Sequence, residues 1–229
     1  MPAATYHKLN NPAWYALTEM HQHFAEGNDA VKRYQQNIAP FAGSVADQKI
    51  SPEAFDQCFN ITDSFYIIGD LPLLPSNYNI ESKLLCLQMI APSIKAVPAT
   101  ARIAQLSEAD DEDIITLMEL VFPGYYQPDT RLMGDYFGIR CNGKLVAITG
   151  ERMKINGLTE VSAVVTHPDF TGRKYAQQLI SLVAAKNLDA GIIPFLHVAE
   201  TNERAIKVYE LLGFIPRRIV AVWKIMRMS

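Results

Sequence analysis

The sequence is poor in cysteine. Its three cysteines, Cys58, Cys86 and Cys141, are odd in number and widely spaced along 229 residues. That excludes a disulfide framework and a Cys-x-x-Cys metal site, and it points to a reducing compartment. Long apolar runs are missing too: no stretch approaches the ~18 uninterrupted apolar residues of a membrane helix. The opening Met1-Pro2-Ala3-Ala4-Thr5-Tyr6-His7-Lys8 lacks the apolar segment of a secretory signal. A cytoplasmic protein with no membrane association is expected. Positive charge is not in excess either, with a formal net charge of −3 and a pI of about 6.0. The overall field therefore does not favour nucleic acid. No segment is of low complexity and no internal repeat stands out.

What is present is the composition of an ordinary globular protein, 49% hydrophobic and 20% charged. The length allows one large domain or two small ones. Two prolines and a run of small residues in Ala91-Pro92-Ser93-Ile94-Lys95-Ala96-Val97-Pro98-Ala99-Thr100 interrupt any regular element. They divide the chain into an N-terminal domain of mixed helix and strand, residues 1–96, and a second domain, residues 97–229.

In the first part, Trp14, Leu17, Met20, His21 and Phe24 at spacings of three and four predict a helix over residues 12–26. A second helix is expected from Asn28 through Val31 and Tyr34 to Ile38. Ser51-Pro52-Glu53 reads as an N-cap with proline at the first helical position, opening a short helix through Phe55 and Cys58. Residues 65–68 and 84–90 are apolar runs of strand length.

The second part is more regular. A strand over residues 101–106 leads to Ser107, an N-cap with an acid three residues on, and the acids of residues 108–113 suit the positive end of a helix dipole better than a metal site. Asn142-Gly143 between two extended runs marks a hairpin, and Asn156-Gly157 a second turn, so three antiparallel strands follow in series to Thr166. A helix over 173–189, a strand over 194–199, a helix over 202–212 and one or two strands over 214–228 complete the order.

Gly172 lies between a strand and a helix, where backbone N–H groups and the helix dipole attract an anion such as a pyrophosphate. Arg173 and Lys174 crowd positive charge onto the same helix start, where cations are disfavoured unless an anion joins them. Two solvated side chains on an exposed turn would read the same way.

The segment Val161-Ser162-Ala163-Val164-Val165-Thr166-His167-Pro168-Asp169-Phe170-Thr171-Gly172-Arg173-Lys174-Tyr175-Ala176 resembles the acyl-CoA-binding strand, loop and helix of the GNAT superfamily of N-acyltransferases. Thr201-Asn202-Glu203-Arg204-Ala205-Ile206-Lys207-Val208-Tyr209-Glu210-Leu211-Leu212-Gly213-Phe214 is similar to that family's Asn-x-x-Ala-x-x-x-Tyr-x-x-x-Gly-Phe motif. The resemblance covers residues 100–229 and is nearest to the subgroup with a divergent N-terminal half, which makes residues 1–96 a candidate reduced copy of the same fold. It implies an α/β (α+β) fold: a mixed, mostly antiparallel sheet flanked by helices. The loop departs from Arg-Gly-x-Gly-x-Gly/Ala, with Thr171 for the arginine and Lys174 for the second glycine. Lysine is sterically acceptable there if the position already lies inside the helix.

By the same resemblance, the main chain of Val164, Val165 and Thr166 pairs with the pantetheine arm of acetyl-CoA. Gly172, Arg173, Lys174, Tyr175, Ala176 and Gln177 hold the pyrophosphate, and Asn202 and Tyr209 face the cofactor. Tyr209 is the expected general acid toward the CoA thiolate, or else a packing aromatic beside Leu212 and Phe214. Glu160, placed by strand alternation on the face of Ser162 and Val164, is the first candidate base, unless it is a solvated glutamate. His197 is the second candidate, unless it is a satisfied core residue. No metal and no acyl-enzyme are implied.

The activity implied is transfer of acetyl or another small acyl group to a primary amine, small-molecule or peptide, by direct attack in a ternary complex; the protein would be a monomer or homodimer. A non-catalytic acyl-CoA-binding module and an interaction protein are the alternatives. Tyr125 and Tyr126, in the segment 122–127, are expected as an aromatic wall of the acceptor pocket.

Overall fold

The computed structural model describes residues 3–45 and 50–228; Met1 and Pro2 of the opening segment, residues 46–49, Ser229 and the side chains of residues 3–5 lie outside the description. The first helix, α1, spans Pro12–Thr18, far less than the expected 12–26. Non-local bonds end it. Glu19, the C-cap, is drawn to Lys8 and accepts from the Asn156 N–H at 2.7 Å. His21 turns inward to the Tyr34 hydroxyl at 2.9 Å and the Met133 carbonyl at 3.1 Å.

The helix expected over 28–38 is instead a hairpin of β1, Ala25–Gly27, and β2, Val31–Tyr34. Asn28 Oδ1 accepts the N–H groups of Ala30 and Val31, both at 3.0 Å, and turns the chain. Val31, Arg33 and Tyr34 are then buried, so neither apolar spacing nor burial distinguished strand from helix here. Next come β3, Phe41–Ser44, and α2, Pro52–Asp56, which Ser51 caps as expected. Two further strands are β4, Ser64–Ile68, and β5, Tyr78–Ile90, the latter starting six residues before the apolar run that signalled it.

Beyond residue 100 the sequence reading holds closely. Following β6, Ile103–Gln105, the Ser107–Asp110 capping box opens the way to α3, Asp111–Val121. Asp110 and Asp113 then pair with Arg140. Strands β7, Tyr136–Cys141, β8, Lys144–Ile155, and β9, Leu158–Thr166, form the antiparallel series. Asn142 and Gly143 both take positive φ, 51° and 80°, as a two-residue hairpin requires. The remaining elements are α4, Tyr175–Asp189, β10, Ile193–Ala199, α5, Glu203–Leu212, and a single final strand β11, Ile215–Arg227.

The eleven strands among the described residues form one sheet, in the order β1-β2-β3-β4-β11-β5-β10-β9-β8-β7-β6. The mixed, mostly antiparallel sheet flanked by helices is thus present. Its order repeats: β1–β2–β3 antiparallel, then α2, then β4 parallel to β3; and β7–β8–β9 antiparallel, then α4, then β10 parallel to β9. The long strand that follows each unit crosses over. β5 pairs with β10, β11 pairs with β4, and the two pair with each other. Side chains on either side of residue 96, such as Leu17, Phe41, Ile155 and Phe195, share one buried cluster.

Candidate active site

Strands β9 and β10 run parallel only as far as the pairs Ile193–Leu158, Pro194–Thr159 and Phe195–Glu160. Beyond these they separate, and β10 pairs on its other edge with β5 from the first half of the chain. The gap opens into a cavity of about 890 Å³. The C-terminal end of β9, the loop into α4, the end of β10 and the inner face of α5 line one part of it. The first half of the chain and the region of α3 line the rest.

A bulge shapes the β9 wall. Ile148 pairs with Val165 and Gly150 with Ser162, so Ala163 and Val164 together oppose Thr149, and Ala163 takes φ 50°. The bulge breaks the alternation assumed in the sequence. Val164 packs with Val161 against the α4–α5 side, while Ala163 and Val165 pack against α3. Val164 therefore does not share the face of Glu160. Val164 and Thr166 line the cavity, whereas Val165 does not and its side chain is buried with those of α3.

The loop into α4 carries two left-handed residues, Gly172 at φ 78° and Lys174 at φ 58°. Lys174 precedes the helix as its N-cap residue, so the expectation that a helical position needs no positive φ is corrected: lysine holds a glycine-like conformation here, at a cost of ~1–2 kcal/mol. A lysine side chain has no acceptor with which to cap a helix, and none caps α4. The N–H groups of Lys174, Tyr175, Ala176 and Gln177 have no acceptor among the described residues. Gly172, Arg173, Lys174, Tyr175, Ala176 and Gln177 all line the cavity. The result is an uncapped N-terminus of a 15-residue helix, facing the opening with Arg173, Lys174 and Arg204 around it. Four aligned donors and the helix dipole suit a pyrophosphate.

The neighbouring helix is finished differently. Asn202 lies just outside α5 and its Oδ1 accepts the Ala205 N–H at 3.1 Å. Its cap role leaves only Nδ2 to face the cavity. Seven residues on, Tyr209 is 8% exposed and lines the same space. Burial alone pushes its phenol up to about 12, and its hydroxyl has no partner among the described residues.

Glu160 is 1% exposed and part of a continuous chain of hydrogen bonds. Arg152 Nε and Nη2 donate to its two oxygens at 2.8 and 2.7 Å, and His197 Nδ1 lies 2.8 Å from Oε1. His197 Nε2 lies 2.9 Å from Gln88 Nε2. The Gln88 amide is oriented by Arg217, which donates to its oxygen at 2.6 Å, and by the Leu9 carbonyl, which accepts from its nitrogen at 2.8 Å. His197 Nε2 must then accept and Nδ1 carries the proton toward Glu160. Burial would raise the Glu160 carboxyl, but Arg152 and His197 outweigh it and hold it down at about 2. Glu160 is thus not a solvated glutamate, and His197 has a partner at both ring nitrogens, as the satisfied-residue alternative expects.

Sequence reasoning missed Arg152, Gln88 and Arg217. Arg152 stands in a strand that reads as apolar alternation with surface charges, and Gln88 and Arg217 reach the site only through the crossing of β5 and β11. Tyr125 and Tyr126 do line the cavity, joined by Phe41, Ile68 and Leu84 from the first half of the chain.

The sequence model of the FR47-like protein family matches residues 136–223, the stretch that builds this cleft. No protein of curated function matches the sequence. Among solved structures, one assigned to the GNAT family of acetyltransferases, from Novosphingobium aromaticivorans, is 28% identical with a TM-score of 0.88, covering 97% of this chain and 100% of its own. Two others share the fold: a GCN5-related N-acetyltransferase from Kribbella flavida, 15% identical, TM-score 0.59, covering 95% and 94%, and a GCN5-related N-acetyltransferase-like protein from Streptococcus suis, 12% identical, TM-score 0.58, covering 98% of each. With its splayed strands, bulge and uncapped helix, the chain is similar to the GNAT N-acyltransferases in fold, and the two matches support an N-acyltransferase of that kind.

Proposed function

We propose that the protein transfers an acetyl or other small acyl group from acyl-CoA to a primary amine by direct attack in a ternary complex. The observation that carries this is the uncapped α4 N-terminus opening onto the same cavity as the Tyr209 hydroxyl. The pyrophosphate takes the N–H groups of residues 174–177, and the pantetheine arm follows the edge of β9 that the separation from β10 leaves free. The bulge at Ala163 and Val164 turns main-chain groups out of the ladder, where an N–H meets the thioester oxygen as negative charge develops.

Tyr209 serves the departing thiolate. A phenol held at about 12 binds its proton more tightly than an alkyl thiol, ordinarily near ~8.5. It therefore acts as a hydrogen-bond donor to the thiolate, and the proton that completes the thiol is the one lost by the attacking nitrogen. Glu160 and His197, the candidate bases, are engaged with Arg152 and Gln88. In this reading they shape the acceptor side, and the ammonium loses its proton to water before attack. Residues 1–96 act as a reduced copy of the same fold that walls the acceptor side, consistent with the repeated strand order.

Thiol release from acetyl-CoA, measured against a panel of amines, tests the reading. Tyr209→Phe is expected to lower kcat by 10- to 100-fold with little change in acetyl-CoA affinity. Unchanged kcat would remove Tyr209 from the chemistry, and binding without turnover of any amine would favour a non-catalytic acyl-CoA-binding module.

A further inference from the structure

The acceptor side of the cavity offers hydrogen-bond donors and almost no free acceptors. Arg152 uses Nε and Nη2 on Glu160, while its Nη1 has no partner among the described residues and is not sealed off from the cavity that the side chain lines. Glu160 is the sole carboxylate among the lining side chains, and it already takes three of the roughly four hydrogen bonds a carboxylate accepts. Apart from hydroxyls such as those of Ser162 and Thr130, the remaining surface on this side is mostly apolar or aromatic, including Phe41, Ile68, Leu84 and Tyr125. A polycationic amine would bury charge here with nothing to compensate it.

From this complementarity we infer that the acceptor is an apolar or aromatic α-amino acid, its carboxylate on Arg152 Nη1 and its side chain against the aromatic wall. The assignment rests on the acyl-transfer reading above. The scale agrees: three residues of strand separate Glu160 from the bulge at Ala163, about 10 Å. An α-amino acid spans that gap with one hydrogen bond at the guanidinium and one attack distance at the thioester carbon. The amine nitrogen forms a C–N bond as the C–S bond breaks. One proton from nitrogen ends on the departing thiolate, giving an N-acyl amino acid and free CoA.

Calorimetric titration of L-phenylalanine, L-leucine, phenethylamine and spermidine, into the protein alone and saturated with CoA, tests the inference. At least one of the two amino acids is expected to bind tenfold or more tightly than phenethylamine, with no heat from spermidine. Arg152→Lys, which keeps the charge beside Glu160 but loses the fork, should abolish that preference while retaining the heat of CoA binding, which reports its fold. The inference is overturned if neither amino acid binds, if phenethylamine binds as well as both, or if spermidine binds. Failure of the acyl-transfer reading is seen separately, as absence of acetyl-CoA binding or of thiol release.

Discussion

Arg152 and Glu160 face each other across a bulge in which Arg152 and Met153 of β8 together oppose Glu160 of β9, joined by two parallel N–H···O bonds of 2.8 and 2.7 Å. The guanidinium also stacks on Phe41, 4.4 Å from the ring centroid, tying the second half of the sheet to the first. Removing one member of such a buried pair strands the other's charge, a loss of ~3–5 kcal/mol, whereas replacing both by apolar groups costs much less. Arg152→Met is thus expected to destabilise by about that amount, and Arg152→Met with Glu160→Leu by less than Arg152→Met alone. Chemical denaturation of the three proteins checks the ordering.

Acid should unfold the protein in two stages. Burial holds His21 down at about 4 against an ordinary 6.5, so the unfolded chain binds that proton first and stability falls between these values. Glu151, whose buried carboxyl is outweighed by Lys154 and Lys186, and Glu160 both sit at about 2 against 4.5. Their stabilisation is present above 4.5 and lost as pH falls toward 2, on the order of a few kcal/mol in sum. Unfolding midpoints measured from pH 8 to 3 should decline below 6.5 and steepen below 4.5, and His21→Gln should flatten only the first stage.

Lys174 keeps a left-handed backbone that glycine adopts without penalty. Lys174→Gly should raise stability by about 1 kcal/mol, less the greater freedom glycine gives the unfolded chain. The N–H donors remain in place, so acetyl-CoA affinity should change by no more than the loss of one surface charge allows. Thermal unfolding and acetyl-CoA titration of the variant measure both.

Because β5 lies between β10 and β11, and β11 between β4 and β5, residues 97–229 alone would present three newly unpaired strand edges, one on β10 and both on β11, with Phe195 and Val220 uncovered. That fragment is expected to aggregate on expression to a far greater extent than the full chain. A monomeric, folded fragment with native-like thermal unfolding would contradict the interlocked sheet.

Local chemistry was legible in the sequence, and long-range pairing was not. Asn142-Gly143, the Ser107 cap, Gly172 and the spacing of Asn202 and Tyr209 each state their structure within a few residues, so the three antiparallel strands and the helices that follow them could be read directly. β2 was read as a helix because Val31 and Tyr34 fit either period, and only Asn28 and the partner strands decide between them. The exchange of β5 and β11 leaves no local mark, and the repeated strand order is carried by topology without visible sequence repetition. Arg152 and Gln88 enter the site through those same pairings, and the two bulges undo the alternation from which faces were inferred.

Acyl-CoA binding at the uncapped α4 N-terminus underlies the whole acyl-transfer proposal, and calorimetric titration of acetyl-CoA measures it. Saturable binding at one site per chain is expected, lost in Gly172→Glu, whose added side chain meets no protein atom within 4 Å at its Cβ but places a carboxylate in the pyrophosphate cradle and strains a left-handed position. Folding of the variant is verified by its thermal transition. No heat from the folded wild-type protein at millimolar acetyl-CoA, or undiminished binding by the folded variant, would contradict the claim.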